Sequence, residues 1–317
     1  MRLDRLLAGL FLATPIACAS SPALRADPAQ VTLSAPASLA VPPGPLASPA
    51  SALASSSSTE GDLRVMTFNI QSAHEGLDKV AETIRSASPD IVALQEVDVG
   101  SSRAQGLDQP SVLARRTGLP YYAHFRTTSL YGGDYGVALL SRFPLESVEQ
   151  HPLPVETGAE PRTVARVLMK VHGQEVSIYV THLTRRPFNG DIRMRQSAAI
   201  MKLMDEDPRP KLLMGDMNDT PDSSALRLFK RELVDVFAMR GQGPSDTYPL
   251  PVLPNLRIDY VLACDHFMPK SSKVLRVRAS DHYPVVADLT LLEPVKAPSA
   301  AMVQASPQAA ASATGSK

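Results

Sequence analysis

Lys211-Leu-Leu-Met-Gly-Asp-Met-Asn218 is the stretch on which the reading of this chain turns. Residues 211–214 have the apolar run of a buried strand, which gives way at once to Gly215, Asp216 and Asn218. Alone, an Asp after a strand is usually a turn or helix-cap residue. The same arrangement recurs, however. Phe68-Asn69-Ile70 closes a strand expected at 63–70, Leu94-Gln95-Glu96 closes one at 91–94, and Thr181-His182-Leu183 closes one at 176–181. Arg257-Ile258-Asp259-Tyr260 opens a strand at 258–262, and Ser280-Asp281-His282 precedes the last, at 285–291. Six strand edges thus deliver an Asn, Glu, His or Asp flanked by apolar residues. Caps do not account for all six, and a shared cleft at the rim of the sheets does.

Outward from these edges, further strands are expected at 135–141 and 163–171. Helical spacing appears at 76–86, 111–117, 191–205 and 223–229. The late strands follow one another without helices, which argues against a simple doubly wound parallel sheet and for mixed sheets covered by helices. The globular body is read as residues 61–293.

The ends are set apart from it. Arg2 and Arg5 precede an apolar run from Leu6 to Ala17, as in an export signal over residues 1–19. Ala17-Cys18-Ala19 suits an ordinary signal peptidase. A lipoprotein signal ending at Ala17, with Cys18 lipidated as a membrane tether, is the other option, and Pro15 counts against it. Residues 20–60 are mostly Ala, Ser and Pro, with seven prolines between Pro22 and Pro49, and are read as a disordered linker. Residues 294–317 are read as a disordered tail. The 32 basic and 32 acidic residues cancel, so nothing suggests a surface built to coat a polyanion. Two cysteines are too few for a disulfide scaffold or a cysteine-based zinc site. Cys264 reads as a small buried apolar side chain.

The Gly-Asp-Met-Asn, Arg-Ile-Asp-Tyr and Ser-Asp-His segments, in this order, resemble the endonuclease/exonuclease/phosphatase superfamily, also called DNase I-like. Tyr135-Gly-Val-Ala-Leu-Leu-Ser-Arg-Phe-Pro144 and Glu160-Pro-Arg162 extend the resemblance, which covers residues 63–291. It implies a four-layer α/β sandwich, two mixed β-sheets packed face to face with helices outside, and metal-dependent cleavage of a phosphate ester.

Roles follow from chemistry, with the resemblance marking the residues. Mg²⁺ is a hard cation held by one or two carboxylates plus water and substrate phosphate, and Mn²⁺ or Ca²⁺ could replace it. A carboxylate after a buried strand needs a counter-charge, so Glu96 is the candidate ligand, with Asn69 and Asp281 close to the metal. Asp259 and His282 look like a carboxylate–imidazole pair in which the Asp fixes the tautomer and the His supports charge on the phosphate. Asp216 would orient or deprotonate the attacking water, and Asn218 and His182 would hydrogen-bond phosphate oxygens. Arg162, Tyr135, Arg103 and Arg185 are candidate substrate contacts; Arg162 could equally brace the sheet through a carboxylate.

The sequence departs from exonuclease III-type members, which carry an Asp where this chain has Gln71. With neutral charge and no Trp, it looks more like a general bacterial hydrolase branch. That branch also resembles sphingomyelinases and a eukaryotic family linked to glycosylphosphatidylinositol remodelling. The expected activity is therefore an exported phosphodiesterase for a phospholipid head group or small phosphodiester, with no obligate protein partner. A secreted nuclease and a non-catalytic phospho-ligand binder are the alternatives.

Overall fold

A computed structural model describes residues 61–185, 189–252 and 254–293. The expected leader, linker and tail, Cys18 included, lie outside the described residues. In chain order the first half comprises β1 (Asp62–Asn69), a 3₁₀ turn (Gln71–Ala73), α1 (Leu77–Ala87), β2 (Ile91–Val99), α2 (Gln109–Thr117), β3 (Tyr121–Leu130), β4 (Gly133–Ser141), β5 (Leu145–Leu153) and β6 (Arg162–Val171). There follow β7 (Gln174–His182), α3 (Gly190–Asp205), β8 (Lys211–Asp216), α4 (Ser224–Phe229), β9 (Val234–Asp235), α5 (Val236–Arg240), β10 (Gly241–Gln242), β11 (Asp259–Ala263), β12 (Phe267–Val274) and β13 (Val285–Leu291).

The strands form two mixed sheets, ordered β10-β12-β13-β1-β2-β4-β3 and β5-β6-β7-β8-β11-β9. Strand alternation divides the apolar residues of the first sheet between two cores. Leu63, Val65, Ile91, Ala93, Phe125, Val137 and Leu139 enter the core shared with the second sheet. Met66, Phe68, Val92, Leu94, Ala138 and Leu140 face Val80 and Ile84 of α1 and Leu113 of α2. Ile200 and Met204 of α3 and Leu226 and Phe229 of α4 belong to the same continuous buried cluster as the apolar residues of the second sheet. This is the four-layer sandwich that the resemblance implied. The helix ends follow local chemistry: Asp108 and Ser223 cap α2 and α4 by accepting the N–H groups of Ser111 and Leu226, and Gly118 closes α2 in the left-handed region.

Topology explains why the polar residues meet. β1 pairs in parallel with β2, and β7 with β8, whereas β6, β11 and β13 run antiparallel to their neighbours. The C-terminal ends of β1, β7 and β8 therefore share one edge with the N-terminal ends of β6, β11 and β13. Gly215 is required by the close approach of β8 to β7, since a Cβ there would lie 2.0 Å from the Thr181 carbonyl oxygen.

Five strands, β3, β5, β12 and the two-residue β9 and β10, were not anticipated. β5 is an edge strand rich in Glu, Gln and His, and β12 carries Pro269 and two lysines, so neither shows a clean apolar alternation. The expectation that a strand closes at Glu96 is corrected. β2 runs on to Val99, and Glu96 sits inside it at a register shift between Leu94 and Val97, with φ of 57°. A bulge at the rim re-aims a side chain without ending the strand.

Candidate active site

The second sheet contributes four residues at one edge: Arg162 at the start of β6, His182 at the end of β7, Asp216 at the end of β8 and Asp259 at the start of β11. His182 and Asp216 are register partners, as are Asp216 and Asp259. The first sheet brings Asn69 at the end of β1, Glu96 in the β2 bulge, Tyr135 in β4, and Asp281 and His282 just before β13.

Asn69 joins the two halves. Its fully buried amide donates to Glu96 Oε1 and to Asp216 Oδ2, both at 3.1 Å, while its Oδ1 accepts the Gln71 N–H. Asp216 Oδ1 accepts the Asn218 N–H at 2.8 Å. Its Oδ2 also lies 3.4 Å from His182 Nε2 and 3.8 Å from His282 Nε2. His282 Nδ1 donates to Asp259 Oδ2 at 2.9 Å, which sets the tautomer because a carboxylate can only accept.

Burial and charge oppose each other here. Burial alone would lower His282, but Asp259 and Asp216 outweigh it and raise the imidazole to about 10, so it carries a proton at neutral pH. Burial, and after it the Asp259 carboxylate, push Asp216 up to about 7. His182 goes the other way: burial, then the charges of Arg162, His282 and Arg185, hold it well below the ordinary imidazole range. Among the described residues its buried Nε2 has no hydrogen-bond partner, and neither does Asp259 Oδ1. Unsatisfied buried polar atoms facing one another at a rim mark places that a ligand would fill.

The donor set fits a hard divalent cation at Glu96 and Asp281. Both are part-buried carboxylates. Burial raises Asp281, His282 pulls it back, and the neighbouring Glu96 charge raises it further. A cation between them would relieve that repulsion. Asp216, Asp259 and His282 also place ligand atoms within 4.8 Å of one another. In that trio the imidazole Nδ1 is already committed to Asp259 Oδ2.

The remaining expected residues are spread around this centre. Asn218, held in the left-handed region at φ 49°, donates its amide to the Leu183 carbonyl and so ties β8 to the segment after β7. Arg162 is buried and bidentate on Glu160, at 2.7 and 3.3 Å, while its Nε has no partner among the described residues. Arg103 is bidentate on Asp98 and lies over Tyr131 at 4.7 Å and Tyr135 at 5.3 Å. Arg185 is exposed beside His182. Burial, then the charges of Glu96 and Glu160, push the Tyr135 phenol up, so it stays protonated.

Two neighbours were not singled out from sequence. Gln71 donates to Asp281 Oδ2 at 2.9 Å, from the position noted only as a departure from the exonuclease pattern. Tyr248 packs on the His282 ring with centroids 4.7 Å apart. Its segment, between Pro244 and Pro254, has no periodicity to signal it.

The model of the Endonuclease/Exonuclease/phosphatase family matches residues 66–282. Escherichia coli K12 YbhP, described as an uncharacterized protein, is 29% identical over 252 residues, covering 72% of this chain and 96% of that protein. Schizosaccharomyces pombe protein cwh43 is 28% identical over 163 residues, which are 48% of this chain and 16% of that protein. Among solved structures, an endonuclease/exonuclease/phosphatase from Beutenbergia cavernae superposes with a TM-score of 0.60 at 28% identity, covering 73% of this chain and 72% of that one. The human Nocturnin catalytic domain shares the fold at 22% identity, with a TM-score of 0.60 over 73% of this chain and 93% of its own. The matched stretch begins before Asn69 and ends at His282, so every rim residue described above lies inside it. The chain belongs to the endonuclease/exonuclease/phosphatase family, whose members are phosphoester hydrolases.

Proposed function

We propose that this protein is an exported, metal-dependent phosphodiesterase that hydrolyses a phospholipid head group or a small phosphodiester by water attack. The observation that carries the reading is the buried Asp259–His282–Asp216 chain, in which a protonated imidazole stands between two carboxylates at the sheet rim. Glu96 and Asp281, with Asn69 beside them, would hold Mg²⁺, which when bound neutralises charge on the phosphate.

The protein groups supply the rest. The His282 cation faces the phosphate oxygens, and Asp259 keeps its charge and orientation fixed. Asp216, buried beside Asp259, is basic enough near neutral pH to orient and deprotonate a water. His182 Nε2, neutral and without a hydrogen-bond partner among the described residues, would hydrogen-bond a phosphate oxygen. The Tyr131–Arg103–Tyr135 shelf gives the second arm of a diester a surface to lie on. Export rests on residues 1–19, and Cys18 is the proposed tether if it is lipidated.

The test is hydrolysis of bis-(p-nitrophenyl) phosphate beside p-nitrophenyl phosphate by the full chain, with and without Mg²⁺ or Mn²⁺, followed by sphingomyelin, phosphoinositide and plasmid DNA. The expected result is metal-dependent diester turnover, absent in His282→Ala, and release of lipid head groups. Preference for the monoester would overturn the diester assignment. Cleavage of plasmid with none of the lipids would replace it with a nuclease.

A further inference from the structure

At the end of β11 away from Asp259, the turn into β12 gathers three donor atoms that the rim does not use. We propose that Cys264, Asp265 and His266 form a second metal site, for a thiolate-binding divalent cation of the Zn²⁺ class. Cys264 Sγ lies 3.6 Å from His266 Nδ1, and His266 Nδ1 lies 3.0 Å from Asp265 Oδ1. All three ligand atoms fall within 4.8 Å of one another. Tetrahedral zinc, with bonds of about 2.3 Å to sulfur and about 2.0 Å to nitrogen, separates those two ligands by about 3.5 Å. The spacing seen here is therefore the spacing a tetrahedral ion needs.

The turn is held in place before any ion arrives. Cys264 N–H donates to the Lys211 carbonyl, Phe267 N–H to the Cys264 carbonyl, and Leu292 N–H to the His266 carbonyl. The Lys211 N–H donates to Cys264 Sγ at 3.2 Å, a contact that supports negative charge on sulfur. Burial is graded across the three ligands. Cys264 is only 8% exposed, whereas the side chains of His266 and Asp265 are 49% and 92% exposed. The sulfur is shielded, and the other two ligands open to solvent, which admits the ion and supplies water as a fourth ligand.

The donor chemistry separates this site from the rim. Thiolate and imidazole select borderline metals, whereas Glu96 and Asp281 offer only hard oxygen donors. The two cysteines of the chain are too few for a site of several thiolates, but one thiolate with an imidazole and a carboxylate is a different set. β11 spans five residues, at about 3.3 Å each, so the turn lies roughly 15 Å from Asp259. Binding releases the thiol proton to solvent and clips the β11–β12 turn. Its expected effect is on stability, with rim chemistry unchanged.

The experiment uses the full chain with Cys18→Ser, leaving Cys264 as the single thiol, stripped of metal and then saturated with Mg²⁺. Co²⁺ is titrated in as a spectroscopic substitute for Zn²⁺. The expected result is one equivalent bound with a sulfur-to-cobalt charge-transfer band, displaced by Zn²⁺ but not by excess Mg²⁺. The band should vanish in Cys264→Ser. His266→Ala, at an exposed position, should bind roughly tenfold or more weakly. Zn²⁺ should raise the melting temperature of the parent but not of His266→Ala. Absence of the band, or unchanged affinity in His266→Ala, overturns the proposal. If Cys264→Ser does not fold, the His266→Ala comparison decides alone.

Discussion

Asp216 and Asp259 face each other as register partners across the antiparallel β8–β11 pair, and both carboxyl groups reach the same imidazole, that of His282. Two buried acids this close would repel, and the proton on His282 is what allows both to stay on the rim. The pairing makes the three residues one unit, so their substitutions will not add.

Asp216→Asn keeps the shape and the Asn218 contact but removes the proposed base. It should lower kcat by about 10²–10³-fold, and the Asp216→Asn/His282→Ala double variant should be little worse than the poorer single one. Steady-state kinetics on a p-nitrophenyl diester check this; full multiplicative losses would show that the residues act independently.

Glu96→Gln and Asp281→Asn each remove a charge from the proposed Mg²⁺ site. Half-saturating Mg²⁺ should rise in both, with activity partly restored by excess metal, whereas chelation should silence the parent enzyme. Metal-dependence curves that coincide with the parent's would move the metal elsewhere on the rim.

Asn69→Ala leaves the Glu96 and Asp216 carboxyl groups without their shared donor. A buried acceptor stripped of its partner costs about 1–3 kcal/mol, to be read as a shift in the urea midpoint. Asn69→Asp should be worse for activity, since it adds a third negative charge among those two.

Gly215→Ala drives a methyl against the Thr181 carbonyl and should destabilise the protein by about 1–3 kcal/mol or more. The measurement is again the unfolding midpoint. A neutral result would show that β7 and β8 can separate there without cost.

His124 predicts a pH effect away from the active site. Burial lowers its pKa, against a weaker pull from the Val97 carbonyl, so the folded protein prefers the neutral ring. The unfolded chain takes up the proton first, so the stability tied to this ring is present above about pH 6.5 and is lost as the solution is acidified through and below that value. Melting temperature should fall between pH 7 and pH 5, with a smaller fall in His124→Asn.

Much of this was written in the sequence because each rim residue abuts a strand with a strong apolar run. Leu212-Leu-Met214 announces Asp216, and Val176 to Val180 announces His182. Glu96 was harder, because a bulge has no simple pattern and the apolar run stops before the strand does. Gln71 and Tyr248 were not legible at all as neighbours of Asp281 and His282: their partners lie far along the chain, and their own segments obey no period. The bidentate hold of Asp98 on Arg103 was invisible for a different reason: the two are only five residues apart, but the sequence of β2 does not say which of its acids is fully buried.

The Asn69 bridge carries one more consequence. One of its bonds stays within the first sheet, to Glu96, and the other crosses to Asp216 in the second, so neither layer owns a complete active site. A slip of one layer past the other by a single ångström would uncouple the proposed metal ligands from the proposed base while leaving both sheets hydrogen-bonded. Loss of turnover should therefore precede loss of circular dichroism on heating, and the enzyme becomes a gauge of its own interlayer alignment.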